Sequence, residues 1–204
     1  MLNITVTTCS RMIDLDDYRV GDVIIDDIAN SLSKQCRYNG NIPGKAIYSV
    51  AEHAPYVARL AKLYILQHEA PFIEQWSNDD KAMCCLGAVC HDNPEYITGD
   101  ITRPIKRHIS NFREIEAVIT PIMEKAFGIE LTDEMHAVIK RADDVMADIE
   151  MRYFFPWKVM GKAPSEYRLT DFSGVSKPGL PPSKAKRLFM VAFNKAIAGK
   201  WTEL

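Results

Sequence analysis

The sequence predicts an all-α domain with an irregular N-terminal segment. Apolar residues recur at spacings of three and four through most of the chain. Helix-starting residues stand just before those runs. Alternating apolar and polar residues, the mark of a half-buried strand, occur only at residues 4–7 and 23–25.

The elements follow in order. Residues 26–36 open with Asp26-Asp27 and read as a short helix, because acidic groups favour a helix N-terminus. Residues 37–48 hold two glycines and a proline and read as a loop. The next helix starts at Ser49, where Ser49 and Glu52 have the spacing of a capping box. Val50, Ala54, Val57, Ala61 and Tyr64 then form one apolar face. Residues 78–91 are apolar on nearly every side, so that helix is expected at the centre. Residues 93–110, with Pro94, Gly99 and Pro104, read as a loop ending in a short helical turn. A helix over 111–127 is expected to kink at Pro121. Thr132 or Asp133 caps a long helix running to about residue 155. Its apolar face passes through Met135, Ile139, Ala142, Met146, Ile149 and Tyr153. Residues 156–180 read as an extended surface loop. Pro181-Pro182-Ser183 begin a last helix that ends near Gly199.

The whole chain, residues 1–204, is expected to form a single domain. Its motif-bearing core covers about 26–156, and 157–204 supply the loop and the C-terminal helix. The length suffices for one substantial core. With 47% hydrophobic and 25% charged residues, general disorder is excluded. A formal net charge of −2 disfavours a nucleic-acid coat protein. No run approaches the roughly 18 apolar residues of a membrane span. The five cysteines are odd in number, and no signal peptide is apparent, so a cytoplasmic setting is expected. Cys84, Cys85 and Cys90 share an apolar segment without a Cys-x-x-Cys pair and read as small buried hydrophobes.

Three positions draw attention to chemistry. His91-Asp92 places an imidazole and a carboxylate side by side at a helix end, a usable pair for a divalent metal. A solvated helix end is the alternative. His53 shares a face with Val57, Leu60 and Tyr64, so it points inward, as a ligand or as a hydrogen-bonded core residue. Asp143 borders the apolar face of the long helix, whereas Asp144 aligns with Lys140 and Asp148 and faces water. A carboxylate turned inward needs a partner: a metal ion, or a cation such as Arg141 or Arg152.

The order Ser49-Val50-Ala51-Glu52-His53, then His91-Asp92, then Ala142-Asp143 resembles the signature of the HD superfamily of phosphohydrolases. The stretch His91-Asp92-Asn93-Pro94-Glu95-Tyr96-Ile97-Thr98-Gly99-Asp100, continuing to Pro104 and Lys106, is similar to the branch containing bacterial 5′-deoxynucleotidases. Cys36-Arg37-Tyr38-Asn39-Gly40 resembles the Arg-aromatic segment of that branch. Tyr38 stands where tryptophan is frequent. The opening Thr8-Cys9-Ser10-Arg11-Met12-Ile13-Asp14-Leu15 resembles bacteriophage-encoded members, some of which hydrolyse deoxynucleoside triphosphates, dATP included.

The resemblance implies an HD-type helical bundle and an enzyme. It implies a divalent ion (Zn, Co, Mn or Mg) held by His53, His91, Asp92 and Asp143. Glu95 and Asp92 would be catalytic, with Glu95 handling the proton of water or of the leaving group. Arg37 and Lys106 would contact phosphate, and Tyr38 the sugar edge. The substrate would be a small deoxynucleotide, with a dNTP such as dATP favoured. The basic run Arg103, Lys106, Arg107 and Arg113 would suit a polyphosphate. A 5′-deoxynucleotidase acting on dNMPs is the nearest alternative. A nucleotide-sensing protein without turnover and a di-iron oxygenase are alternatives of other classes. Self-association into a homo-oligomer is expected by analogy, and a phage-encoded chain would work in the host cytoplasm.

Overall fold

The computed structural model describes residues 5–8, 11–44, 46–156, 166–173 and 178–204. It begins with a small hairpin, β1 (Thr5–Thr7) against β2 (Met12–Asp14), antiparallel with Val6 opposite Ile13. Residue 4 lies outside the described residues. The strand expected at 23–25 does not form. Ile24 is instead the N-cap of α1 (Ile25–Leu32), and β1 takes its partner from residues 12–14.

Helix α1 stops well short of residue 36. Cys36 is extended and bridges Ser49 in an antiparallel pair, so a tertiary contact overrides local helical preference. A 3-10 turn follows at Arg37–Gly40, with Tyr38 at φ 58° and Asn39 at φ 53°. For a residue with a Cβ, the left-handed region costs about 1–2 kcal/mol. The turn therefore needs tertiary support, which Tyr38 receives through the site described below.

The bundle is organised around α2 (Val50–Leu66), which contacts α1 and the helices α3 (Asn78–Cys90), α7 (Asp133–Phe154), α8 (Leu169–Ser173) and α9 (Pro182–Ile197). Every residue from Val50 to Ala58 is buried. This moves the centre from the place expected: α3 (Asn78–Cys90) is buried only from Cys84 onward, and α2 is the helix most enclosed. The capping box expected at Ser49 is also absent. Ser49 is the N-cap by backbone geometry, but its hydroxyl makes no cap bond. The Glu52 carboxylate accepts instead from the backbone N–H of Gly179 and Leu180 and from the Tyr56 hydroxyl. Two backbone donors brought by tertiary folding, with the Tyr56 hydroxyl one turn along the helix, outcompete one local amide. A reciprocal box does open α3, between Ser77 and Asp80.

Two short helices, α4 (Glu95–Thr98) and α5 (Arg103–Lys106), form within the expected loop after α3, with Gly99 at φ 76° between them. Next comes α6 (Phe112–Ala126), which contains Pro121. Helix α7 (Asp133–Phe154) is capped by Thr132, whose hydroxyl accepts from the Met135 amide. The expected apolar face holds from Met135 to Ile149, but Tyr153 is 41% exposed. The buried row runs Met146, Glu150, Phe154 instead, because 3.6 residues per turn carries the stripe onto the i+4 neighbours. The stretch expected as a surface loop contains α8 (Leu169–Ser173), which buries Leu169 and Phe172; residues 157–165 and 174–177 lie outside the described residues. Helix α9 (Pro182–Ile197) packs Ala185, Phe189, Ala192, Phe193 and Ala196 inward against α1, α2 and α3. The fold is thus all-α apart from the hairpin. No described helix is long and apolar enough to cross a membrane.

Candidate metal centre

Helices α2 and α7 and the C-terminal end of α3 converge, bringing four functional side chains together. His53 lies in the first turn of α2 and is fully buried. His91 is the C-cap of α3, with Asp92 next to it. Asp143 lies mid-way along α7. His53, His91 and Asp92 each bring a donor atom within 4.8 Å of the others. Asp143 joins them, its Oδ1 lying 3.1 Å from His53 Nε2 and 3.9 Å from His91 Nε2. Asp92 Oδ2 is 3.2 Å from His91 Nε2 and 3.7 Å from His53 Nε2. Donors about 2.1 Å from one ion stand about 3 Å apart at right angles and about 4 Å apart when opposite. The observed spacings fall in that range.

Both imidazoles are oriented from behind. His91 Nδ1 lies 2.8 Å from the Ala88 carbonyl oxygen, which can only accept, so Nδ1 carries a proton and Nε2 faces the cluster. That buried Nε2 has no hydrogen-bond partner among the described residues. His53 Nδ1 lies 2.5 Å from Glu150 Oε1, with the same consequence for its Nε2. Two imidazole nitrogens and the Asp92 carboxylate, with the Asp143 carboxylate beside both histidines, form a donor set that a divalent cation fits.

The local field also favours a cation. Burial alone would lower the His91 pKa, but Asp92 and Asp143 raise it to about 9. Asp92 and Asp143 stay far below the usual carboxylate range. Burial opposes this, and the two imidazoles and Arg37 outweigh it. Two buried carboxylates beside the imidazoles give the site the negative charge that a dication requires.

A cleft of about 600 Å³ opens beside the cluster. Of the predicted site residues, Arg37, Tyr38, Asp92, Glu95, Lys106 and Asp143 line it. His53 and His91 stand behind its wall. Arg37 Nη1 is 3.6 Å from Asp92 and its Nε 3.3 Å from Glu150; neither pair uses Nη2. Lys106 Nζ is 3.4 Å from both Glu95 and Glu116. Glu95 is buried, and its pKa is lifted to about 9, chiefly by burial and then by Asp92 and Asp100, against Lys106 and Arg37. Burial thus favours its protonated form. Arg103 lines the mouth and bridges Asp143 and Asp144. Arg107 and Arg113 are exposed and are not among the lining residues. The alternative partners weighed for Asp143 are engaged elsewhere, Arg141 with Glu69 and Arg152 with Asp148.

Sequence reasoning missed two groups. Asp100 lines the cleft beside Glu95, and the signal was already present in the Thr98-Gly99-Asp100 segment. Glu150 is completely buried behind His53. It lies seven residues, two helical turns, after Asp143, and that spacing could have drawn attention to it.

The comparisons with known proteins agree with this architecture. Residues 45–152 match the family model described as 5′-deoxynucleotidase YfbR-like. An uncharacterised protein of Rhodobacter capsulatus is 35% identical over 144 residues, 69% of this chain and 67% of that protein. The uncharacterised protein YfdR of Escherichia coli is 29% identical over 184 residues, 88% of this chain and 87% of YfdR. The dATP triphosphohydrolase of Acinetobacter phage SH-Ab 15497 is 33% identical over 105 residues, 47% of this chain and 51% of that enzyme. The chain belongs to the 5′-deoxynucleotidase YfbR-like family and is a hydrolase of the HD superfamily.

Proposed function

We propose that this protein hydrolyses deoxynucleotides at the 5′ phosphoester, with deoxynucleoside monophosphates as the substrates its cleft suits best. The observation that carries the reading is the joining of a two-histidine, two-carboxylate cluster to a cleft lined by Arg37, Lys106 and Glu95. The family match supports the chemistry. His53, His91, Asp92 and Asp143 would hold a divalent ion, which supplies Lewis-acid polarisation of the phosphoryl group. The mixed imidazole and carboxylate set suits Co²⁺, Mn²⁺ or Zn²⁺ better than the all-oxygen preference of Mg²⁺.

The chain's own residues do the rest. Arg37 and Lys106 bind the phosphate oxygens and hold phosphorus in place. Water attacks phosphorus and the P–O5′ bond breaks. Glu95, whose burial favours the protonated form, gives its proton to O5′ and recovers one from the attacking water. The products are a deoxynucleoside and phosphate. Tyr38 donates its hydroxyl to Glu150, so its ring edge, not its hydroxyl, is offered to the sugar.

A triphosphate substrate is the second reading. The phage relative's activity and Arg103 at the cleft mouth favour it. The basic run was its main sequence support. With Arg107 and Arg113 outside the lining, that support rests on Arg103 and Lys106, each already facing carboxylates. The deciding assay uses metal-stripped protein reloaded with Mn²⁺, Co²⁺, Zn²⁺ or Mg²⁺ and a panel of dNMPs, dNTPs and NTPs. Release of phosphate from dNMPs supports the first reading, and release of tripolyphosphate from dNTPs the second. Nucleotide binding without release under any metal would leave a sensing protein. Self-association is proposed by analogy alone, and sedimentation would test it.

A further inference from the structure

Glu150 is a buried carboxylate surrounded by donors. Its Oε1 accepts from the Tyr48 hydroxyl at 2.7 Å and faces His53 Nδ1 at 2.5 Å. Its Oε2 accepts from the Tyr38 hydroxyl at 2.8 Å and from Arg37 Nε at 3.3 Å. A carboxylate has about four acceptor sites and no donor. Four donors from three separate segments therefore saturate it. A glutamine could not replace it without turning an N–H₂ toward two of those donors.

These contacts join the two halves of the site. His53 belongs to the metal cluster, and Arg37 and Tyr38 belong to the substrate cleft. Tyr38 sits in the strained left-handed turn, and Glu150 is the group that holds its hydroxyl. We infer that Glu150 is a positioning residue that fixes the His53 ring with Nε2 toward the metal while anchoring Arg37 and Tyr38 on the cleft wall. It touches neither substrate nor metal; it sets the distance between the phosphate-binding arginine and the ion. This rests on the reading of His53 as a metal ligand, and it adds the link between ligand and substrate side chains.

The test titrates Mn²⁺ into metal-stripped protein and reads free Mn²⁺ by electron paramagnetic resonance. Wild-type protein should bind one ion per site. If it binds none, the metal reading itself fails, and that failure is distinct from failure of the positioning role. Glu150→Gln should bind Mn²⁺ about 10- to 100-fold more weakly, the usual scale for losing an outer-shell partner of a ligand histidine. Tyr38→Phe removes a donor on the other oxygen, so it should leave Mn²⁺ affinity unchanged while raising KM. Mn²⁺ affinity of Glu150→Gln equal to wild type would overturn the proposal, as would an equal loss in Tyr38→Phe. Should Glu150→Gln not fold, nitrogen NMR of ¹⁵N-histidine-labelled wild type loaded with Zn²⁺ decides instead. His53 should show a protonated Nδ1 and a metal-bound Nε2, and the opposite assignment would overturn the inference.

Discussion

Asp143 Oδ1 meets His53 Nε2 at 3.1 Å, across 90 residues of sequence and between two different helices. Asp144, its neighbour, turns toward the surface, where it pairs with Lys140 and shares Arg103 with Asp143. One residue of helical phase, 100° of rotation, separates a cluster carboxylate from a surface one.

Asparagine substitutions should separate the two. Asp143→Asn removes a charged donor from the cluster and is expected to leave almost no turnover and weaker metal binding. Asp144→Asn removes ion pairs with Lys140 and Arg103, whose side chains are 72% and 53% exposed. Exposed pairs contribute about 0–1 kcal/mol. Turnover and melting temperature should therefore stay near wild type. Equal damage from both substitutions would mean that Arg103, shared by the two, matters more than the cluster.

Alanine at His53, His91 or Asp92 should abolish activity and reduce bound metal in each case. Chelation should also destabilise the wild-type protein. An ion at about 100 times its Kd adds roughly 2.7 kcal/mol to the folded state. Calorimetry with and without chelator should show the melting temperature fall in wild type and stay fixed in His91→Ala. A chelator effect of the same size in both would place the ion elsewhere.

The inward placement of His53 and the division between Asp143 and Asp144 were legible in the sequence because helical phase is a local property. Glu150 was not legible. Its burial depends on Tyr38, Tyr48 and Arg37 arriving from a loop whose left-handed turn no spacing announces. The Ser49–Glu52 box misled for the same reason: Glu52 is claimed by Gly179 and Leu180, far along the chain. The basic run was legible only in part: Arg103 and Lys106 line the cleft, whereas Arg107 and Arg113 face solvent, a division that spacing alone does not give.

Glu95→Gln should keep metal and nucleotide binding and lose turnover by about 10²-fold or more, the usual scale for a proton-transfer group. A pH signature accompanies it in the metal-stripped protein. The Glu95 pKa is raised to about 9 in the folded state, against about 4.3 unfolded. Between those values the folded state holds a proton that the unfolded state has released. Folding stability from this group therefore falls as pH rises through that window. Glutamine has no proton to lose, so the variant should gain on wild type in melting temperature from pH 5 to pH 9. Titrating groups that do not face Glu95 are common to both proteins and cancel in the comparison. Parallel melting curves across that range would show that Glu95 is not held neutral.

The last prediction concerns substrate length. A triphosphate carries charge beyond the α-phosphate, and that charge needs cations in the cleft. Arg103 is the arginine at the mouth, bridging Asp143 and Asp144, and Arg107 and Arg113 lie outside. If monophosphates are the substrates, Arg107→Ala and Arg113→Ala should leave dAMP turnover unchanged. Arg103→Ala should then act only through Asp143, altering dAMP and dATP turnover by the same factor. If triphosphates are the substrates, Arg103 must leave its carboxylates for the β- or γ-phosphate. A charge-assisted contact of about 1.5–3 kcal/mol would then be lost in Arg103→Ala. That loss corresponds to a decrease of about 10- to 150-fold in kcat/KM for dATP, with dAMP spared. The ratio of dATP to dAMP kcat/KM in Arg103→Ala, relative to wild type, is the quantity to measure. A ratio near one supports the monophosphate reading, and a tenfold or larger fall replaces it with the triphosphate reading.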